Sequence, residues 1–472
     1  MDLTLARYLQ GVQEGKFTPQ EVVTSYLDKA QHLNNQYFSY VRLHPEYIQA
    51  NVDAFAARPL KAAPLAIKDI ILTEWYITSC GSKILENYVS PYSATCFARL
   101  EEAGGLMLGK SNMDEFAMGS STETSYFGKT TNPHGKDRVP GWSSGGSAAA
   151  VASDCCIAAL WTDTGGSVRQ PAAFCGIVGM KPTYGMVSRY GVQSMASSLD
   201  QVGVMTKTVE DAEILLKAIA GFDSKDSQSD PRADEFLKAW SLMLDAWNLT
   251  IAVPKQALGT GLDPRIKALF LQKLQQLREQ WFTVDEIDLP IMEYAVPMYY
   301  TLMPAEVSTN LARFDGIKFG LQEESIGHED IASYYQHIRG EWFGDEAKRR
   351  ILLGTFVLSS ANYEGYYLKA QEARDQLKSD FDTIFAQYDL VLTPTAPEVA
   401  WKFGERSEDP LKMYMSDMYA IPANMAWLPA MSVPMGMVED RGELLPAWLQ
   451  IMGQRWNEAK VFAFGKIVES LS

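Results

Sequence analysis

Thr162-Asp163-Thr164-Gly165-Gly166-Ser167-Val168-Arg169-Gln170-Pro171 follows a short apolar run, Ile157 to Leu160, that reads as a strand. Paired glycines after a strand let the backbone turn sharply and approach a ligand closely. The serine behind them shares that turn with several backbone N–H groups. Acyl transfer needs this combination, an oxygen to attack and fixed donors for the oxyanion that forms. Gly-Gly-Ser alone is also ordinary loop text. Two features upstream weigh toward chemistry: a second serine-rich turn, Gly141-Trp142-Ser143-Ser144-Gly145-Gly146-Ser147, and Lys68 behind the short apolar strand Pro64-Leu65-Ala66-Ile67. Charges at the C-terminal end of a strand lie where α/β sheets place their chemistry. Lys68 taken alone reads as an exposed loop lysine.

Outward from this centre, strands alternate with helices. Thr18-Pro19-Gln20-Glu21 is a capping box with proline at the first helical position, and Val22, Val23, Tyr26, Leu27 and Ala30 form one apolar face behind it. A helix is expected from Ser93 to Ala103, then a strand Leu106 to Leu108, an alanine-rich helix after Ser147, and a helix capped by Thr208. Phe222 to Phe236 is polar and acidic and reads as a linker between core motifs at 60–220 and a second half at 237–472. That half should supply strands Leu249 to Val253, Leu390 to Leu392 and Ala430 to Val433, a helix from Asp263 to about Gln280, and a closing helix after Glu458. The class expected is α/β.

With 47% apolar and 21% charged residues, the 472-residue chain has the composition of an ordinary globular protein. A formal charge of −16 argues against direct, phosphate-dominated nucleic-acid binding, although a partner could hold such a substrate. Cys80, Cys96, Cys155, Cys156 and Cys175 show no metal spacing and read as reduced thiols of a cytoplasmic protein. No signal peptide or membrane-length apolar run is visible.

Lys68, Ser143 and Ser167, in that order, resemble the Ser-cisSer-Lys triad of the amidase signature family. The likeness covers Pro64 to Asp69, Ser143 to Ser147, Asp163 to Gly176 and Gly179 to Pro182, and it extends through Asn112 to Thr122, Ser188 to Gly203, Phe343 to Leu358, Thr393 to Pro397 and Asp409 to Met425. Membership implies an α/β/α sandwich with a central twisted mixed sheet, formed as one domain over 1–472. It also implies a cis peptide before Ser143, an oxyanion hole from the N–H groups of Thr164, Gly165, Gly166 and Ser167, and Asp163 and Arg169 as braces. Independently, serine needs a base; none of the five histidines lies near these motifs, and a lysine can serve if burial brings its pKa toward neutrality.

Within the family the text is most similar to glutaminase subunits of tRNA-dependent amidotransferases. That likeness implies glutamine held by Arg350 at its carboxylate and Asp417 at its ammonium, with Tyr299 lining the pocket. It implies a B-type tRNA-binding subunit that uses ATP and Mg, and a small C-type subunit. No metal or cofactor is then expected in this chain, and no GxxxxGK[ST] or GxGxxG occurs. A free-standing amidase for another amide and an inactive scaffold remain as alternatives.

The sequence departs from its family at Trp75, Trp142, Trp161, Trp281, Trp342, Trp427 and Trp448, where the family has glycine. Glycine positions often demand φ > 0 or close backbone approach. Seven losses to one bulky residue point to a reassigned stop codon read as glycine in the native host. A decayed paralogue is the rival explanation. Other tryptophans, such as Trp401 and Trp456, stand in for aromatic residues.

Overall fold

Short apolar runs bounded by turn residues, such as Pro64 to Ile67 and Leu390 to Leu392, become strands of one mixed sheet. The computed structural model describes residues 3–240, 249–322, 330–406 and 409–471. Its strands are β1 Tyr40–Leu43, β2 Ala63–Lys68, β3 Gly105–Ser111, β4 Ala158–Asp163, β5 Val178–Lys181, β6 Gln201–Thr206, β7 Thr250–Pro254, β8 Thr283–Ile287, β9 Leu390–Pro394, β10 Ala430–Asp440 and β11 Glu443–Gly453. Their spatial order is β1-β3-β2-β4-β6-β5-β10-β11-β9-β7-β8. β2 is parallel to β3 and β4, and β7 is parallel to β8 and β9, whereas the central strands β6, β5, β10 and β11 pair antiparallel.

Alternate residues of a strand face opposite sides of the sheet, yet every residue of β2 to β6 is buried. Both faces are therefore covered, as in other α/β proteins. Helices Pro19–Tyr37 and Gly145–Ala152 pack on β2, Thr95–Ala103 on β3 and Val209–Ile219 on β6. The first of these opens on the capping box read from the sequence: Glu21 N donates to Thr18 Oγ1 at 3.2 Å and Thr18 N to Glu21 Oε2 at 2.7 Å.

The sheet runs without a break from the first half of the chain into the second. The acidic stretch Phe222 to Phe236 between them is fastened down. Asp223 accepts from Ser188 Oγ and Thr95 Oγ1, each at 2.6 Å, and Asp226 pairs with Arg189 at 3.0 Å. Its last turn belongs to a helix, Arg232–Ala239, that buries Ala233 and Phe236. The carboxylates that gave this stretch its linker-like composition are its anchors.

The seven tryptophans expected at family glycine positions fall into two groups. Trp75, Trp281 and Trp427 have φ of 69°, 68° and 62°, in the left-handed region that glycine enters freely. Trp142, Trp161, Trp342 and Trp448 do not, and their rings are buried. Trp456, grouped with ordinary aromatic positions on sequence, also has a positive φ of 66°; its N donates to Thr183 Oγ1 at 2.9 Å and Arg232 lies over its ring.

Candidate active site

β2 and β4 are parallel neighbours, so Lys68 and Asp163 end adjacent strands on the same edge of the sheet. The turn that follows β4 and the turn that opens helix Gly145–Ala152 meet over that edge. Lys68 Nζ lies 2.8 Å from Ser143 Oγ, 2.7 Å from Ser144 Oγ and 3.1 Å from Thr162 Oγ1. Ser143 Oγ lies 2.9 Å from Ser167 Oγ, which completes an unbroken Lys68–Ser143–Ser167 chain. Lys68 is fully buried, and burial pulls its amine down to about 7 against the opposing pull of Asp114, Asp163 and Asp200. Three hydroxyl neighbours can bond either the ammonium, which donates three hydrogen bonds, or the neutral amine, which donates two and accepts one. Ser144 and Thr162 were missed on sequence, although Ser144 stood beside Ser143 in the motif.

The peptide before Ser143, expected cis, is trans, for the described residues contain no cis bond. Trans is lower in energy by about 2.5–4 kcal/mol for a non-proline peptide, and Ser143 reaches both partners without the cis form. Thr122 fixes this turn: its Oγ1 donates to Trp142 O and accepts from Gly145 N at 2.8 Å. Asp114 N donates to Ser143 O at 3.3 Å.

The Thr164–Ser167 turn is braced by a buried ion pair. Arg169 donates through Nε to Asp163 Oδ2 at 3.0 Å and through Nη2 to Oδ1 at 3.1 Å. Arg169 also reaches Ala420 O at 2.7 Å, and the side chains of Gln450 and Asn424. Burial works against the Asp163 charge, but Arg169 outweighs it and the carboxyl is held below its ordinary range. Asp163 in turn accepts from Gly166 N at 2.8 Å and Val168 N at 3.2 Å. That is a correction to the expected oxyanion hole: the Gly166 N–H is committed to the brace. Among the described residues the N–H groups of Thr164, Gly165 and Ser167 have no partner. Both glycines are required here. A Cβ on Gly165 would stand 2.6 Å from the Tyr299 ring, and one on Gly166, at φ 139°, 2.7 Å from Ala420 Cβ.

The residues expected to hold glutamine arrive from the second half. Tyr299 and Tyr300 lie on helix Ala295–Asn310, Arg350 on helix Asp345–Leu358, and Asp417 on the turn after helix Pro410–Met415. All four are buried. Arg350 donates from Nε to Glu346 Oε1 at 2.8 Å and lies 5.5 Å from the centre of the Tyr300 ring. Burial opposes its charge, but Glu346 and the neighbouring tyrosines outweigh this and raise its pKa. Asp417 accepts from Tyr300 OH at 2.8 Å and from Ser416 Oγ at 3.0 Å, and burial pushes its carboxyl up to about 7. Tyr300 and Glu346 were missed; the i, i+4 spacing of Glu346 and Arg350 was the available signal. Among the described residues two buried polar atoms in this group have no partner, Tyr299 OH and Arg350 Nη2. Burying such atoms unpaired is costly, and a ligand carboxylate offers them acceptors.

Trp142 stands between the two groups. Its Nε1 donates to Asp417 Oδ1, and its ring meets Tyr299 edge to face at 6.3 Å. The indole N–H therefore occupies the place expected for a substrate ammonium.

The sequence model of the amidase family matches residues 21–462. The chain is 44% identical to the A-type subunit of glutamyl-tRNA(Gln) amidotransferase from Alkalilimnicola ehrlichii, over 98% of this chain and 96% of the relative. It is 46% identical to the same protein from Methylococcus capsulatus, over 97% and 94%. The crystal structure of the Thermotoga maritima counterpart, also the A-type component of a glutamyl-tRNA(Gln) amidotransferase, superposes with a TM-score of 0.82 at 38% identity, covering 100% of this chain and 95% of that one.

Proposed function

The chain belongs to the amidase family, and from that premise we propose that it is the glutaminase subunit of a tRNA-dependent amidotransferase. The observation that carries the proposal is the buried Lys68–Ser143–Ser167 chain, with orphaned polar atoms of Tyr299 and Arg350 beside it. Ser167 Oγ attacks the side-chain amide carbon of glutamine. Its proton passes to Ser143 Oγ as the Ser143 proton passes to the neutral Lys68 amine. The oxyanion is received by the N–H groups of Thr164, Gly165 and Ser167, with Gly166 shaping the turn. As the C–N bond breaks, the relay returns a proton to the leaving nitrogen, and ammonia departs. Water then attacks the acyl ester, which releases glutamate and restores the Ser167 hydroxyl. Arg350 meets the substrate carboxylate and Asp417 its ammonium, with Tyr299 as the wall over Gly165.

Ammonia made here serves a second site. The wider assignment is a cytoplasmic complex in which a B-type subunit holds misacylated Glu-tRNA(Gln), Asp-tRNA(Asn) or both and activates the carboxylate with ATP and Mg, beside a small C-type subunit. This chain itself needs no cofactor. No helix among the described residues is long and apolar enough to cross a membrane. The test is ammonia release from glutamine by the purified chain, followed by amidation of misacylated tRNA with and without the partner subunits and ATP. Glutaminase activity in the chain and amidation only in the complex support the assignment; amidation by the single chain would overturn the division of labour.

One observation favours a second reading, an inactive scaffold. With tryptophan at 142 the Asp417 carboxylate is already taken by an indole N–H. If the native residue is tryptophan, glutamine must displace that ring. Glutaminase activity gained by Trp142→Gly, with none in the parent, would assign the tryptophan-containing chain to this second reading.

A further inference from the structure

Asp200 lies one residue before β6, whose Gln201 pairs with Asp163 at the end of β4. The register sets Asp200 beside Thr164, the first residue of the turn that presents Ser167. Asp200 is buried, and each carboxylate oxygen has a defined task. Oδ1 accepts from Thr164 Oγ1 at 2.6 Å, and Oδ2 accepts from Met195 N at 2.8 Å and Ala196 N at 3.0 Å.

The segment around Met195 and Ser198 is itself fastened to helix Ala295–Asn310. Glu306 accepts from Ser198 N at 2.9 Å and Ser198 Oγ at 2.5 Å, and Asn310 Nδ2 donates to Met195 O at 3.1 Å. The same helix carries Tyr299, whose ring rests against Gly165. The Thr164–Ser167 turn is thus clamped from two sides. The Arg169–Asp163 pair holds its interior, and Asp200 ties its first residue to the helix that lines the substrate pocket.

We propose that Asp200 is a positioning residue for acyl transfer at Ser167: its carboxylate fixes the Thr164 side chain and thereby the N–H groups that receive the oxyanion. The proposal rests on the reading of Ser167 as the nucleophile. A purely structural role would be confined to the Met195 and Ala196 N–H groups. Thr164→Val separates the two roles, because it removes the hydroxyl donor, keeps the shape and leaves those N–H groups paired.

The experiment uses the full-length chain with Asp200→Asn, Thr164→Val and the double variant. The first readout is the rate at which a fluorophosphonate labels Ser167. That reaction forms an O–P bond, expels fluoride and places a phosphonyl oxygen at the oxyanion position, and it does not depend on recognising glutamine. The second readout is kcat and KM for glutamine. Each single variant should slow labelling and lower kcat by about tenfold to a hundredfold, the range set by misplaced reacting groups and lost oxyanion donors. KM should stay within about twofold, and the double variant should lose no more than the worse single one. Unchanged labelling in Thr164→Val, additive losses, or an effect confined to KM would overturn the proposal. If the parent labels on Ser167 but hydrolyses no glutamine, the substrate reading falls while the labelling rates still decide the role of Asp200. No labelling of Ser167 in the parent would overturn both.

Discussion

The triad and the proposed glutamine pocket differ in how completely the protein satisfies its own polar groups. The Lys68 amine has three oxygen neighbours, the Ser143 hydroxyl has two partners, and Asp163 is spent on Arg169 and two backbone N–H groups. In the pocket, Tyr299 OH and Arg350 Nη2 are buried with no partner among the described residues, and Asp417 has taken an indole as a partner. A group that reacts must be aimed before the substrate arrives, so its contacts are built in. A group that recognises must keep capacity in reserve. Substitutions in the first region should therefore cost turnover, and those in the second should cost affinity.

The largest effect falls on the nucleophile. Ser167→Ala removes one oxygen and little volume, so glutamine hydrolysis should drop by about 10⁴-fold or more with the fold retained. Residual turnover near the parent rate, or an acyl group trapped on another residue, would break the assignment. Next comes Lys68. Guanidinium stays protonated, so Lys68→Arg should be nearly as damaging as Lys68→Ala. With burial holding this amine near 7, its neutral, proton-accepting form predominates above that pH and is lost below it. The kcat profile should accordingly rise with pH through about 7. Asp417 titrates in the same range but should be held ionised by the bound ammonium, so its effect belongs in kcat/KM. A flat kcat from pH about 6 to 8 would leave Lys68 as an electrostatic support only.

How far these two regions could be read from the sequence follows from their construction. The triad sits on contiguous motifs at the ends of neighbouring strands, so family likeness over those motifs reached it, while the local text alone left Lys68 a loop lysine. The pocket is assembled from helices far apart in the chain, and only family likeness reached Arg350 and Asp417. Helix Ala295–Asn310 gave no pattern of its own: it is buried nearly all round and has Pro304 inside it, so no polar stripe marks a period. For the same reason both Tyr299 and Tyr300 face protein, and the sequence could not separate the ring against Gly165 from the hydroxyl on Asp417. β6 and β11 went unseen because Gly203 and Pro446 interrupt them. Asp200 lies inside the matched stretch Ser188 to Gly203, but that likeness attached no role to it, since its role comes from sheet register.

A smaller effect, of a different kind, is expected at Arg350. Arg350→Ala should raise KM for glutamine by about a hundredfold with kcat changed much less, because it removes a contact made equally in the ground and transition states. Arg350→Lys should recover little of this, for an ammonium cannot reproduce the planar fork. A loss confined to kcat would place Arg350 on the chemical side and dissolve the contrast between the two regions.

The smallest effects test the tryptophans, and they separate strain from packing. Trp75 is 75% exposed and Trp281 is 90% exposed, so neither ring contributes much burial, while both residues sit at positive φ. A side chain in the left-handed region costs about 1–2 kcal/mol, which glycine does not pay. Glycine also loosens the unfolded chain, which offsets about 0.4–1 kcal/mol of that gain. Trp75→Gly and Trp281→Gly should each raise stability by up to about 1 kcal/mol, read as a shift in the denaturation midpoint. Trp427 shares their backbone geometry, but its ring stacks on Tyr184 at 5.2 Å, carries Lys378 at 4.0 Å and donates from Nε1 to Ser198 O at 2.9 Å. Its replacement should be close to neutral. Restoring all seven positions to glycine should add glutaminase activity, chiefly by clearing Trp142 from Asp417. Mass spectrometry of the native protein tests the recoding directly, through the peptides that cover positions 142 and 427. Tryptophan there, or a lower midpoint in both Trp75→Gly and Trp281→Gly, would remove the case for recoded glycines and leave Trp142 as a native occupant of the pocket.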